Sequence, residues 1–207
     1  MTSVKPEWDI YAKNTMNPII QAHYYFTVWR NYRLLLHGLK IPRGTLLELG
    51  SSTGQISLRL SRMYKLSPTL VDTSALALTL ASQFYRKKGI IPIIIKKSIL
   101  DLNLGQKYDF VHSHGLLEHF IGKKQQRAME IHINHVKHGG WLICWMPSPD
   151  IFYRLNRWYL EQTGKWIFGF EQPLTLKDVL SIFRQEVLII RKIRHFPGWI
   201  GVAAQRQ

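Results

Sequence analysis

What this 207-residue chain has little of narrows it first. There is a single cysteine, Cys144, so no intrachain disulfide can form and a reducing, cytoplasmic setting is expected. Acidic residues are scarce: 13 Asp and Glu face 28 Lys and Arg, a formal net charge of +15. That imbalance keeps an anionic partner such as nucleic acid under consideration. The basic residues are nevertheless dispersed in small clusters such as Arg86-Lys87-Lys88 and Lys123-Lys124, with no long basic tail. No apolar run approaches a membrane span, and the run from Ile90 to Ile95 is interrupted by Pro92. Residues 1–13 carry charges without an apolar stretch, so no signal peptide is expected. Internal repeats and low-complexity segments are absent. What remains is 46% hydrophobic, enough core for one α/β domain spanning residues 1–207.

The most informative stretch is Leu46-Leu47-Glu48-Leu49-Gly50-Ser51-Ser52-Thr53-Gly54. An apolar run ends in an acid, a glycine, three small polar residues and a second glycine. That order predicts a buried strand, a tight turn and a helix over Gln55 to Tyr64. Gly50 permits the sharp turn, and the small residues let a ligand approach main-chain N–H groups. Glu48 lies close enough to repel a pyrophosphate and to suit a cationic, hydroxyl-bearing ligand.

A short strand over Thr69 to Asp72 should follow the turn at Ser67-Pro68. Asp72 falls 22 residues after Gly50, near the ~20-residue spacing at which a second-strand carboxylate meets a ribose in Rossmann-like sites. The plainer alternative makes Asp72 the N-cap of a helix over Ser74 to Lys88, and the spacing favours the ribose.

Around this centre the chain alternates strand and helix. Asn17-Pro18 starts a helix whose apolar stripe runs through Ile19, Ala22, Tyr25, Phe26, Trp29, Tyr32, Leu35 and Leu36. Residues 1–40 thus form an N-terminal helical cap. Ile91 to Ile95 reads as a third strand buried on both faces, with Pro92 pointing to an edge position. Tyr108 to His112 is the fourth. After a helix from Lys123 to Val136, the Gly139-Gly140 turn leads into a fifth strand, Trp141 to Trp145. Residues 150–172 are crowded with aromatics and arginines, a substrate-side insertion over the strand ends or packing under the last strands. Thr175-x-x-Asp178 is a capping-box variant. Val187 to Ile190 and Trp199 to Ala204 should close as an antiparallel hairpin through Pro197-Gly198.

In this order the motifs resemble those of class I S-adenosylmethionine (SAM) methyltransferases. Leu46 to Gly54 is similar to motif I, and Val71-Asp72-Thr73-Ser74 to the acidic end of strand two. Tyr108-Asp109-Phe110-Val111 resembles the "[FY]-D-x-V" strand. Leu116-Leu117-Glu118-His119-Phe120 resembles the "LEHF" segment of members acting on quinones and other small molecules. Val136 to Leu142 is similar to "L-K-P-G-G-x-L". The resemblance implies a Rossmann-like fold: a seven-stranded, mostly parallel sheet, an antiparallel C-terminal hairpin and helices on both faces. It implies SAM as cofactor and S-adenosylhomocysteine as its product.

By the same resemblance Gly50, Ser51, Ser52 and Gly54 would meet the methionine part and Glu48 its ammonium. Asp72 would hold the ribose, Thr73 would lie beside the adenine, and backbone at Ser113 and His114 would face the methionine tail. The family's adenine-side acid is replaced by Ser98, so Asp101 or the backbone of Ile99 would take that contact. His114 and His119 are the candidate general bases, and His114 is the one preferred.

Six of nine histidines fall between His112 and His138 without an evident carboxylate or thiol cluster, so no metal site is expected. A small-molecule acceptor is the expected substrate. An RNA or tRNA methyltransferase, for which the charge speaks, and a non-catalytic partner subunit are the alternatives.

Overall fold

The computed structural model describes residues 6–183, 186–195 and 198–207. Among them are seven strands: β1 (Gly44–Leu49), β2 (Leu66–Asp72), β3 (Ile93–Lys96), β4 (Tyr108–His114), β5 (Val136–Pro147), β6 (Val187–His195) and β7 (Trp199–Arg206). They form one sheet in the order β3-β2-β1-β4-β5-β7-β6. β1 pairs in parallel with β2 and β4, β2 with β3, and β4 with β5. β7 runs antiparallel to both β5 and β6. The chain order reverses between β1 and β4, the crevice where open α/β sheets take ligands.

The helices are α1 (Pro6–Thr15), α2 (Pro18–His23), α3 (Trp29–Leu36), α4 (Gln55–Tyr64), α5 (Ala75–Arg86), α6 (Lys123–His135), α7 (Ile151–Gln162) and α8 (Leu176–Ile182). Period-two alternation along the strands divides the core between two faces. Leu47, Leu49, Val71 and Val111 pack with Met129, Ile131 and Ile133 of α6 and Val179 of α8. On the other face Leu46 and Phe110 meet Tyr32 and Leu35 of α3 and Ile56 and Leu60 of α4. Leu70 on that face meets Leu78 and Ala81 of α5. The sheet and its helices are those expected from the sequence.

Several local expectations change. The helix expected from Pro18 to Leu36 is broken by a π-helical turn over Tyr24–Val28. One extra residue per turn rotates the stripe by roughly 100°. Tyr32, Leu35 and Leu36 are therefore buried, whereas Ile19 and Phe26 face outward, 80% and 69% exposed. β3 is not buried on both faces, because it is the outermost strand; Ile93 is 57% exposed.

Ser67 and Pro68 are no turn but part of β2. Pro68 is tolerated there because β3 pairs only from Thr69 onward. Gly139 and Gly140 likewise fall inside β5, at a register shift between Tyr108 and Phe110 of β4. The capping box of α8 forms as read: Thr175 N–H donates to Asp178 Oδ2 at 2.9 Å and Asp178 N–H to Thr175 Oγ1 at 3.2 Å. The expected connection through Pro197 lies outside the described residues.

Candidate functional site

The strand ends open into a cavity of about 930 Å³, near the top of the range for small-molecule sites. β1 contributes Glu48 and the turn after it, β2 Val71 and Asp72, and β4 His114. Trp8 and Tyr11 of α1, with Phe152 and Phe168 from residues 150–172, roof it.

The turn is fixed by its own backbone. Ser51 N–H donates to Val71 O at 3.0 Å and Gly54 N–H to Ser51 O at 2.8 Å. Gly50 and Gly54 sit at φ +67° and +65°, where a side chain would be strained. A Cβ on Gly50 would lie 2.8 Å from Leu116 Cδ1, and one on Gly54 2.8 Å from Leu70 Cδ1. The Tyr85 hydroxyl donates to Gly54 O at 2.6 Å, and Thr53 meets Thr15 of α1 hydroxyl to hydroxyl at 3.0 Å.

Asp72 is not the N-cap of α5. That is Ser74, whose hydroxyl accepts from Ala77 N–H at 3.0 Å. Asp72 instead ties the two turns together: Oδ2 accepts from Ser52 N–H and Oδ1 from Ser74 N–H, both at 2.8 Å. Burial raises its pKa, against the pull of the Ser74, Ser52 and Thr73 N–H groups. The Ser52 amide is thus committed to Asp72, and only the carboxylate's remaining lone pairs can face a ligand.

Glu48 is buried beside His112, its register partner on β4. His112 Nε2 meets Ser57 Oγ at 2.7 Å and lies 3.8 Å from Glu48 Oε1. This contact is no ion pair. Burial pushes Glu48 up to about 8, only partly offset by Ser57, and pushes His112 down to about 3. Glu48 Oε2 is buried with no hydrogen-bond partner, an orphaned acceptor on the cavity wall.

Thr73, Ser98 and Ile99 also line the cavity, with Lys97 beside them. Asp101 does not: it is exposed at the end of the 3₁₀ turn Ile99–Asp101 and absent from the lining. Ser113 is likewise not brought to the cavity. Alternation along β4 turns it to the α6 face, where its hydroxyl meets His132 Nε2 at 2.9 Å. His114 does line the cavity, stacked on Trp199 with ring centroids 4.7 Å apart. Burial lowers its pKa to about 4.

Two acids escaped the sequence reading of the site. Glu118 and Glu171 both line the cavity, and their carboxylate oxygens cluster with a ring nitrogen of His119, all within 4.8 Å of one another. The absence of a carboxylate cluster near the histidines is thereby corrected. Glu118 carries the signal within Leu117-Glu118-His119. Glu171 carries none, because its place depends on how residues 163–175 fold back. His132 and His135 serve packing: each Nδ1–H donates 2.7 Å to the carbonyl four residues earlier, and Leu104 N–H donates to His135 Nε2 at 3.3 Å.

Residues 46–140 match the family model of a methyltransferase domain. No curated protein matches the sequence. Among solved structures, the chain resembles one from a complex with the Haloferax volcanii Trm112 methyltransferase activator (TM-score 0.75, 15% identity, 99% of each chain covered). It also resembles magnesium protoporphyrin IX methyltransferase of Synechocystis PCC 6803 with bound S-adenosylhomocysteine (TM-score 0.70, 16% identity, 92% of this chain and 88% of that one). A third likeness is to the N-methyltransferase NodS of Bradyrhizobium japonicum WM9, also with S-adenosylhomocysteine (TM-score 0.67, 15% identity, 92% and 88% covered). At such identities these likenesses show the fold, and the matched residues add the domain. Residues 46–140 thus match a methyltransferase domain, and the chain shares its fold with methyltransferases that hold S-adenosylhomocysteine.

Proposed function

We propose that the chain moves a methyl group from SAM to a small-molecule acceptor within the cavity. The observation that carries the reading is the pair of acids flanking the glycine turn, Glu48 with an orphaned oxygen and Asp72 bridging two turns. A phosphate-bearing nucleotide would meet the Asp72 carboxylate and bring no cation to draw the proton from Glu48. A donor with an ammonium, a sulfonium and a ribose diol fits them.

In this reading Glu48 faces the ammonium and loses its proton as that charge arrives. Asp72 accepts the ribose hydroxyls, while Thr73, Ser98 and Ile99 flank the adenine and Gly50 leaves room for the backbone to approach. SAM, when bound, supplies an already activated methyl carbon, so the chain's task is alignment and exclusion of water. Trp8, Tyr11 and Phe168 serve exclusion, and His114 packs against the occupant as a neutral ring. Titration calorimetry with S-adenosylhomocysteine tests the reading. Binding that weakens about a hundred-fold in Asp72→Ala is the expected result, and no binding by the unaltered chain defeats the reading.

A further inference from the structure

The charged residues of this chain are predominantly basic, whereas those lining its cavity are predominantly acidic. The chain as a whole is +15, yet among the described residues four acids line the cavity, Glu48, Asp72, Glu118 and Glu171, against the single lysine Lys97. Two of these acids have a place beside the donor. Glu118 and Glu171 have none.

Glu118 is 1% exposed and its Oε2 has no hydrogen-bond partner. A Cβ on Gly115 would come 3.3 Å from Glu118 Oε1 and 3.8 Å from the Trp199 ring, so acid and indole flank the same backbone. Glu171 Oε1 accepts from the Tyr153 hydroxyl at 2.6 Å. Arg157 acts on the Glu171 carboxylate only at a distance, its hydrogen bonds going to other groups: Nε donates to Glu161 at 2.7 Å, and Nη1 donates to the Glu171 backbone carbonyl, also at 2.7 Å. Its guanidinium lies over the Trp166 ring, 4.8 Å from the centroid. A buried carboxyl with an unanswered oxygen is costly unless a ligand answers it.

We infer that Glu118 and Glu171 form the acceptor subsite for an amine: a protonated nitrogen on an apolar body, held between the two carboxylates and the aromatic walls. This inference rests on the methyltransferase reading above. An ammonium brings three donors and no acceptor, matching a wall that offers carboxylate oxygens and ring faces. Burial holds the Glu118 carboxyl well above the usual range, so its own proton leaves to solvent as the ammonium arrives. Transfer of one ammonium proton to the carboxylate then breaks an N–H bond, forms an O–H bond and leaves on nitrogen the lone pair a methyl acceptor needs. A divalent cation is the competing occupant, given His119 beside the two acids. Mg²⁺ and Ca²⁺ take six or more oxygen ligands, which the aromatic walls do not provide. Zn²⁺ is the cation that a His and two carboxylates would suit, with His119 Nδ1 already 2.7 Å from Phe170 O.

The test is calorimetric titration of 2-phenylethylamine, 2-phenylethanol and 3-phenylpropanoate into the full chain, bare and saturated with S-adenosylhomocysteine. The amine should bind at least about ten-fold tighter than the alcohol, with no detectable binding of the acid. Glu118→Gln should remove that preference and leave the alcohol's affinity unchanged. Should Glu118→Gln fail to fold, Glu171→Gln carries the same expectation. Equal binding of amine and alcohol, preference for the acid, or Zn²⁺ or Mg²⁺ displacing the amine from the unaltered chain overturns the inference. Failure to bind S-adenosylhomocysteine would count against the donor reading, while the amine titration of the bare chain still decides this one.

Discussion

The two ends of the cavity are built differently. The end at β1 and β2 is made of backbone, a glycine turn whose amides and carbonyls are tied to Val71, Asp72 and Tyr85. The end at α7 is made of side chains, with Tyr153, Arg157, Trp166 and Glu171 holding one another across residues 153–171. A backbone-built site tolerates few substitutions and suits an invariant ligand. A site of side chains on a surface helix can be recut without disturbing the sheet, which suits the half that meets the variable partner of the reaction.

Substitutions at the two ends should therefore separate. Asp72→Ala removes the acceptor for two backbone amides and the proposed ribose contact. It should weaken S-adenosylhomocysteine binding by about a hundred-fold in calorimetry. Gly54→Ala places a Cβ at φ +65° against Leu70 and Tyr85 and should cost about 1–3 kcal/mol in urea denaturation.

At the other end, Tyr153→Phe loses the 2.6 Å bond to Glu171. It should cost about 1 kcal/mol of stability and raise the acceptor KM, with donor affinity unchanged. Trp158→Ser should sit within about 0.5 kcal/mol of the unaltered chain by the same denaturation, because the indole is 61% exposed. Equal losses at Asp72 and Tyr153 in donor binding would erase the distinction between the two ends.

The pH dependence of stability has contributions from both ends, because burial also raises Glu118 and Glu171, and a substitution at Glu48 isolates the first. The folded Glu48 carboxyl titrates at about 8 against an ordinary 4.5, so it favours folding below pH 4.5. That contribution is lost as pH rises from 4.5 through 8. His112 acts oppositely: with its folded pKa lowered from 6.5 to about 3, its contribution is present above 6.5 and lost as pH falls towards 3. Glu48→Gln should flatten the loss between pH 4.5 and 8 in denaturation curves at stepped pH. A slope unchanged in that variant would show that Glu48 ionises freely in the folded chain.

The same division governs how much the sequence reveals. Gly50, Gly54 and Asp72 were legible because a strand, a tight turn and a fixed spacing leave few choices of residue. The position of β3 was half legible: Pro92 pointed to an edge, but the unbroken isoleucines also fitted a buried strand. The π-helical turn left no mark, so the outward rotation of Ile19 and Phe26 could not be read. Glu171 was invisible because its partners, Tyr153 on α7 and Glu118 after β4, lie far away in sequence and meet only through tertiary folding.

α1 has a consequence for traffic into the cavity. It is latched to the donor-side turns at three points: Ser74 Oγ donates to Asp9 Oδ1 at 2.5 Å, Thr15 meets Thr53 at 3.0 Å, and Gln55 Nε2 donates to Thr15 O at 2.6 Å. Widening the mouth on that side breaks all three together, so the residence time of whatever lies beneath is tied to how often α1 unlatches. Amide hydrogen exchange along residues 6–15 would time that door directly.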